Sequence, residues 1–161
     1  MAVEKWIAGA GQSLTWGNAF ATGGSTEINQ SSFINGDAVL SSVVIANGTA
    51  LDVFADVSIS LASITTAAPN FVGIYIYPLN QDGTTYGNNL LSTTLSVGAP
   101  AAEFWVGNII LPVGTQVCTG MLSRIVLPPG SFCFAFYNQT GATLATTSNV
   151  CKYRTYNRSI A

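Results

Sequence analysis

The segment LDVFADVSISL constrains the fold more than any other stretch of this chain. Leu51, Val53, Ala55, Val57, Ile59 and Leu61 occupy alternate positions, with Asp52, Phe54, Asp56, Ser58 and Ser60 between them. A helix turns about 100° per residue and would scatter the first set around its circumference, whereas a strand puts it on one face. The segment therefore reads as a half-buried strand, which needs a second layer to cover its apolar side. The same grammar recurs. FVGIYIYPL is β-branched and aromatic and stops at Pro78, and residues 131–138 set Phe132, Phe134 and Phe136 against Cys133, Ala135 and Tyr137. Shorter strand candidates lie at 90–97, 102–111, 113–118, 122–127 and 150–157. An earlier run, AVLSSVVIA, is separated from the first segment by Asn47-Gly48, a type I′ hairpin signal.

Turn signals divide these runs: Asp82-Gly83, Gly87-Asn88, Pro128-Pro129-Gly130 and Asn138-Gln139-Thr140-Gly141. Eight or nine short strands, with no helical period and no fixed repeat, predict an all-β fold. The best fit is a jelly-roll-like antiparallel β-sandwich of about eight strands with an extended N-terminal arm. An immunoglobulin-like sandwich ranks second, because it favours a Cys…Trp…Cys order and Trp105 precedes all three cysteines. The 161 residues suit one domain. Residues 1–36 follow neither period: AGAGQSLTWGNAFATGGSTEINQSS is rich in Gly, Ala, Ser, Thr and Asn. They read as an extended arm ahead of a sandwich domain at 37–161. Trp6, Trp16 and Phe20 are its anchors, on its own domain or on a neighbouring subunit, since a plain flexible linker would not carry tryptophans.

The chemistry is thin. Charged residues make up 7% of the chain, against about 25% in an ordinary soluble domain. Five basic and seven acidic residues give a net charge of −2, and there is no histidine. Five scattered cations cannot form the broad basic patch that phosphate neutralisation requires, so nucleic acid is not an expected partner. A serine or cysteine nucleophile would lack its imidazole base. Asp52 and Asp56 share a face of one strand but stand about 13 Å apart at about 3.3 Å per residue, too far for paired-carboxylate glycoside hydrolysis. Asn80–Thr84 resembles the start of a calcium loop, but the twelfth position is Leu91, so an Asp-Gly turn is the better reading. Cys118, Cys133 and Cys151 match no zinc spacing; Cys133, between phenylalanines, reads as a buried thiol, and reduced thiols are preferred to the alternative of a disulfide pair plus one free thiol. The expectation is a protein that is not an enzyme, with no catalytic, cofactor or metal residues. The Asn-x-Ser/Thr sequences at Asn29, Asn47, Asn138 and Asn157 are a chance product of composition. No segment approaches the 18–20 apolar residues of a membrane helix, and Glu4 and Lys5 interrupt the start, so neither a membrane nor a secretory route is expected. An outer-membrane barrel would want both a secretion signal and lipid-facing bands.

Three of the five cations lie in KYRTYNR. On a strand, Lys152, Arg154 and Tyr156 share one face, and Tyr153 and Thr155 the other. That face is either a solvated edge protected by charge or an anchor into an acidic partner, as Tyr and Arg favour interface centres.

FVGIYIYPLNQDGTTYG, IVLPPGSFCFAFYNQTGATLA and the ending KYRTYN resemble the small decoration, or cement, proteins on the outside of tailed-bacteriophage capsids. The likeness spans roughly residues 50–157 as a pattern of strands and turns, without a diagnostic motif. It implies a sandwich core, a structural role on the capsid surface of a virion, and synthesis in the host cytoplasm. Its partners would be the major capsid protein and copies of itself, with a trimer at local three-fold axes among the assemblies implied. Candidate interaction residues are Trp6, Trp16, Phe20, Tyr86, Lys152, Arg154 and Tyr156. The alternative is a carbohydrate- or receptor-binding module of a head fibre or tail appendage, using an aromatic platform of Tyr75, Tyr77 and Tyr86 flanked by Asp82, Asn88 and Asn89.

Overall fold

The strands of this protein pair as a nested set, in a computed structural model that describes residues 4–8, 12–13, 34–40, 44–80, 96–145 and 148–160. In chain order they are β1 (Glu4–Ala8), β2 (Gln12–Ser13), β3 (Asp37–Leu40), β4 (Phe54–Thr66), β5 (Phe71–Pro78), β6 (Ser96–Val97), β7 (Trp105–Ile110), β8 (Gly114–Val126), β9 (Phe132–Gln139) and β10 (Val150–Ile160), with one 3₁₀ turn at Ala102–Phe104. From the outside inward, β2 pairs with β10, β3 with β9, β4 with β8, and β5 with β7, all antiparallel. This long double ribbon is rolled up by two further pairings, β10 with β4 and β9 with β5. The result is two antiparallel sheets. Sheet I runs β1-β10-β4-β8, with β2 also against β10, and sheet II runs β6-β3-β9-β5-β7. That connectivity is the jelly-roll form of a β-sandwich. Of residues 1–36, β1 lies along β10 from Glu4↔Ile160 to Ala8↔Tyr156, and β2 lies opposite Lys152 and Tyr153.

The pleat explains the core. β4 alternates as its sequence dictates: Ala55, Val57, Ile59 and Leu61 are buried, and the residues between them are partly exposed. Leu51 and Val53 precede the strand and stay exposed. β5 and β9 sit inside sheet II and are covered on both faces, so they read as continuous apolar runs rather than alternating ones. One face of each, Val72, Ile74 and Ile76 with Phe132, Phe134 and Phe136, fills the space between the sheets together with Cys118 and Cys151 of sheet I. The other faces form a second cluster of Tyr75, Tyr77, Cys133 and Ala135, against which Leu79, Phe104 and Tyr137 pack. Phe134 ties the layers together, edge-on to Phe132 at 5.4 Å and 5.9 Å from Tyr153 of β10. Burying one such ring contributes about 1.5–3 kcal/mol. All three cysteines are buried.

Two connections differ from the sequence reading. Asn47-Gly48 is not a hairpin turn, because β3 belongs to sheet II and β4 to sheet I. Asn47 is buried instead. Its Nδ2 donates to the carbonyls of Asp52 and Pro128, and its Oδ1 accepts the Asp52 N–H, all at 2.8 Å. The side chain thus holds the crossing segment against the Pro128 turn. The segments 113–118 and 122–127 are also one strand, the 13-residue β8. Gly120 interrupts its apolar pattern because a Cβ there would collide with Ile109 of β7. A Cβ on Gly107 would likewise lie 2.7 Å from Leu122. The two glycines let β7 and β8, edges of different sheets, close one side of the sandwich.

Candidate functional site: the outer face of sheet I

β4 offers small side chains to its outer face, where its neighbours offer larger ones. In register, Lys152, Ser58 and Met121 form one cross-strand row, and Val150, Ser60 and Thr119 the next. Serines between longer flanking residues leave a trough along the middle strand. It forms a cleft of about 370 Å³ lined by Asp56, Ser58, Met121, Lys152, Tyr153 and Arg154. It continues into a depression of about 320 Å³ lined by Ser58, Ile59, Ser60, Val150 and Lys152. One wall carries the cations of β10, and the other carries Met121 of β8.

Two β-bulges shape this face. Between Ala55↔Ile125 and Val57↔Leu122, β8 places two residues, Ser123 and Arg124, opposite the single Asp56. Arg124 takes a left-handed φ of 60°, and its N–H donates to Asp56 Oδ1 at 3.1 Å. Between Leu61↔Cys118 and Ile64↔Gln116 the extra residue lies on β4, where the Ala62 N–H donates to Asn149 Oδ1 at 3.0 Å. A bulge interrupts the ladder, and here a side-chain oxygen takes up an N–H at each interruption.

Asp56 also accepts the Tyr156 hydroxyl at 3.1 Å. Tyr156 is only 8% exposed and stacks on Phe54, with ring centroids 5.7 Å apart. Burial, and then the hydrogen bond it gives to Asp56, push its phenol pKa above the usual range. Lys152 and Arg154 are exposed on the same face. Trp6 lies in β1 opposite Arg158. Trp16, Phe20 and Tyr86 lie outside the described residues. The fold therefore brings Lys152 and Arg154 together at the trough and packs Tyr156 into the body of its own chain. Of the proposed aromatic platform, Tyr75 and Tyr77 are buried in the second cluster, and burial raises both phenols. Asp82, Asn88 and Asn89 fall outside the described residues.

Sequence reasoning missed the apolar side of β8, where Val117 is 61% exposed, Met121 62%, and Val126 is also exposed. The signal was present: with Cys118 facing inward, strand alternation sends Val117 and Met121 outward. Reading a break at Thr119-Gly120 concealed it.

Reactive groups lie elsewhere. Burial pushes the Cys118 and Cys151 thiols upward, away from the nucleophilic thiolate. Asp37 is buried at the start of β3. Its Oδ2 accepts the Ile34 N–H at 3.3 Å, its Oδ1 has no partner among the described residues, and desolvation raises its pKa. Among the described residues no three His, Cys, Asp or Glu side chains group as metal ligands, and no helix is long and apolar enough to cross a membrane. No protein-family model, no curated protein and no solved structure matches the chain.

Proposed function

We propose that this protein is a structural virion protein that binds the outer surface of a tailed-phage capsid and stabilises it, in contact with the capsid protein and with copies of itself. The phage assignment draws on the sequence resemblance. The observation that carries the binding role is the outer face of sheet I, where Ser58, Ser60 and Thr119 lie beside the exposed Val117 and Met121 and charge is confined to a few positions. Uncharged polar groups lose their water at lower cost than ions, and interface cores are depleted in charge. Such a face gains from being covered. Lys152 and Arg154 add a cationic border suited to a partner with acidic side chains.

The test mixes the purified full chain with capsids of its source phage that lack it. The expected result is saturable co-sedimentation and a higher temperature of capsid disruption. Absence of binding together with unchanged heat resistance overturns the proposal. Glycan-array hits without capsid binding would favour the carbohydrate-binding alternative.

A further inference from the structure

Among the described residues β8 ends sheet I, and it is an unusual edge for its length and its side chains. Edge strands display unpaired N–H and C=O groups, and proteins blunt them with short length, lysines, prolines or bulges. β7, which ends sheet II, follows that rule: it has six residues and a bulge between its pairings at Ile74↔Gly107 and Tyr75↔Trp105. β8 has 13 residues and one charge, Arg124, which sits in the bulge near its end. Its only strand partner among the described residues is β4. From Thr115 to Leu122 it contains no charge and no proline.

The outward residues of this stretch are Thr115, Val117, Thr119, Met121 and Ser123, all exposed. They read polar, apolar, polar, apolar, polar, and are close to symmetric about Thr119. An antiparallel partner carrying the same series in the opposite direction would set Val117 opposite Met121, Met121 opposite Val117, and hydroxyl side chains opposite one another at the centre and both ends. Directly opposed side chains in an antiparallel pair lie about 4.5–5.5 Å apart, close enough for the apolar pairs to cover each other. The two Arg124 side chains would lie at opposite ends of the paired segment and would not repel. The strand is thus complementary to itself, as a two-fold interface requires.

We propose that two copies of this chain pair through β8, antiparallel about a two-fold axis at Thr119, so that sheet I continues across the dimer. The inference is independent of the capsid reading, since a dimer that binds no capsid leaves it intact.

Light scattering on the purified full chain tests it. The expected mass is twice that of the chain. Met121→Lys places a charge opposite Val117 of the second copy. It is expected to weaken dimerisation at least about tenfold while circular dichroism and melting of the monomer stay unchanged. Thr119→Lys, on the axis itself, serves as a second variant and is expected to do the same. The double variant V117E/M121K restores the dimer, because its opposite charges meet across the axis. Four residues apart on one strand, they would not meet within a single chain. A monomeric or trimeric wild type overturns the proposal. So does a dimer indifferent to M121K and Thr119→Lys, or a double variant that stays monomeric.

Discussion

The two sheets use the same strand grammar for opposite ends. At the centre of sheet II, β5 and β9 are covered on both sides, by the main core and by the tyrosine cluster. In sheet I, β4 buries one face and gives the other to a trough of serines with one basic and one apolar wall. The contrast separates roles. Sheet II is where substitutions should cost stability, and the outer face of sheet I is where they should cost contacts with other molecules.

The largest expected effect comes from Phe134→Ala, which removes the ring joining the sheets. A loss of about 3–5 kcal/mol is expected from chemical denaturation. A loss near 1 kcal/mol would mean that the layers are not held together there. Next is Gly120→Val, which drives a side chain into Ile109 where the two sheets close. It should cost about 1–3 kcal/mol by the same measurement, and a neutral result would show that β7 does not approach β8 so closely.

Asp37→Asn probes the polar interior of sheet II and should act in the other direction. Because burial raises the folded carboxyl pKa, the stability linked to its proton is present below the ordinary value of 3.8 and is lost as pH rises through the raised one. At neutral pH the wild type therefore carries the cost of an under-bonded carboxylate, and the amide should recover about 1 kcal/mol. Melting curves at neutral and acid pH check this, since the gain should vanish in acid. The smallest effect is expected at the trough. Lys152→Ala should change stability by less than about 0.5 kcal/mol. Its effect should appear in capsid sedimentation instead, and a large drop in melting temperature would show that the basic wall is structural.

Much of this division was legible in the sequence. Ala55 to Leu61 alternate because one face meets the core, and Phe132, Phe134 and Phe136 fall on a different side from Cys133 and Ala135, as their spacing implied. What could not be read depends on contacts between distant segments. Gly120 looks like a strand break until Ile109 is placed above it. Asn47-Gly48 looks like a hairpin until the side chain of Asn47 is seen bonded to Pro128, 81 residues away. Tyr156 shares the outward parity of Lys152 and Arg154, yet Phe54 and Asp56 draw it in. Alternation gives the side of a sheet; it does not say what covers that side.

The nested pairing also bears on how the molecule is made. β10 is the partner of β1, β2 and β4, so sheet I cannot be completed until the chain has been synthesised through β10. The innermost pair, β5 and β7, closes the shortest loop, and β1 with β10 the longest, which gives the fold a high contact order and refolding in milliseconds to seconds rather than microseconds. While it waits, β4 holds an apolar face without its neighbours. Throughout that interval the nascent chain is most exposed to aggregation, and the scarcity of charge that suits a covered surface leaves little repulsion to prevent it.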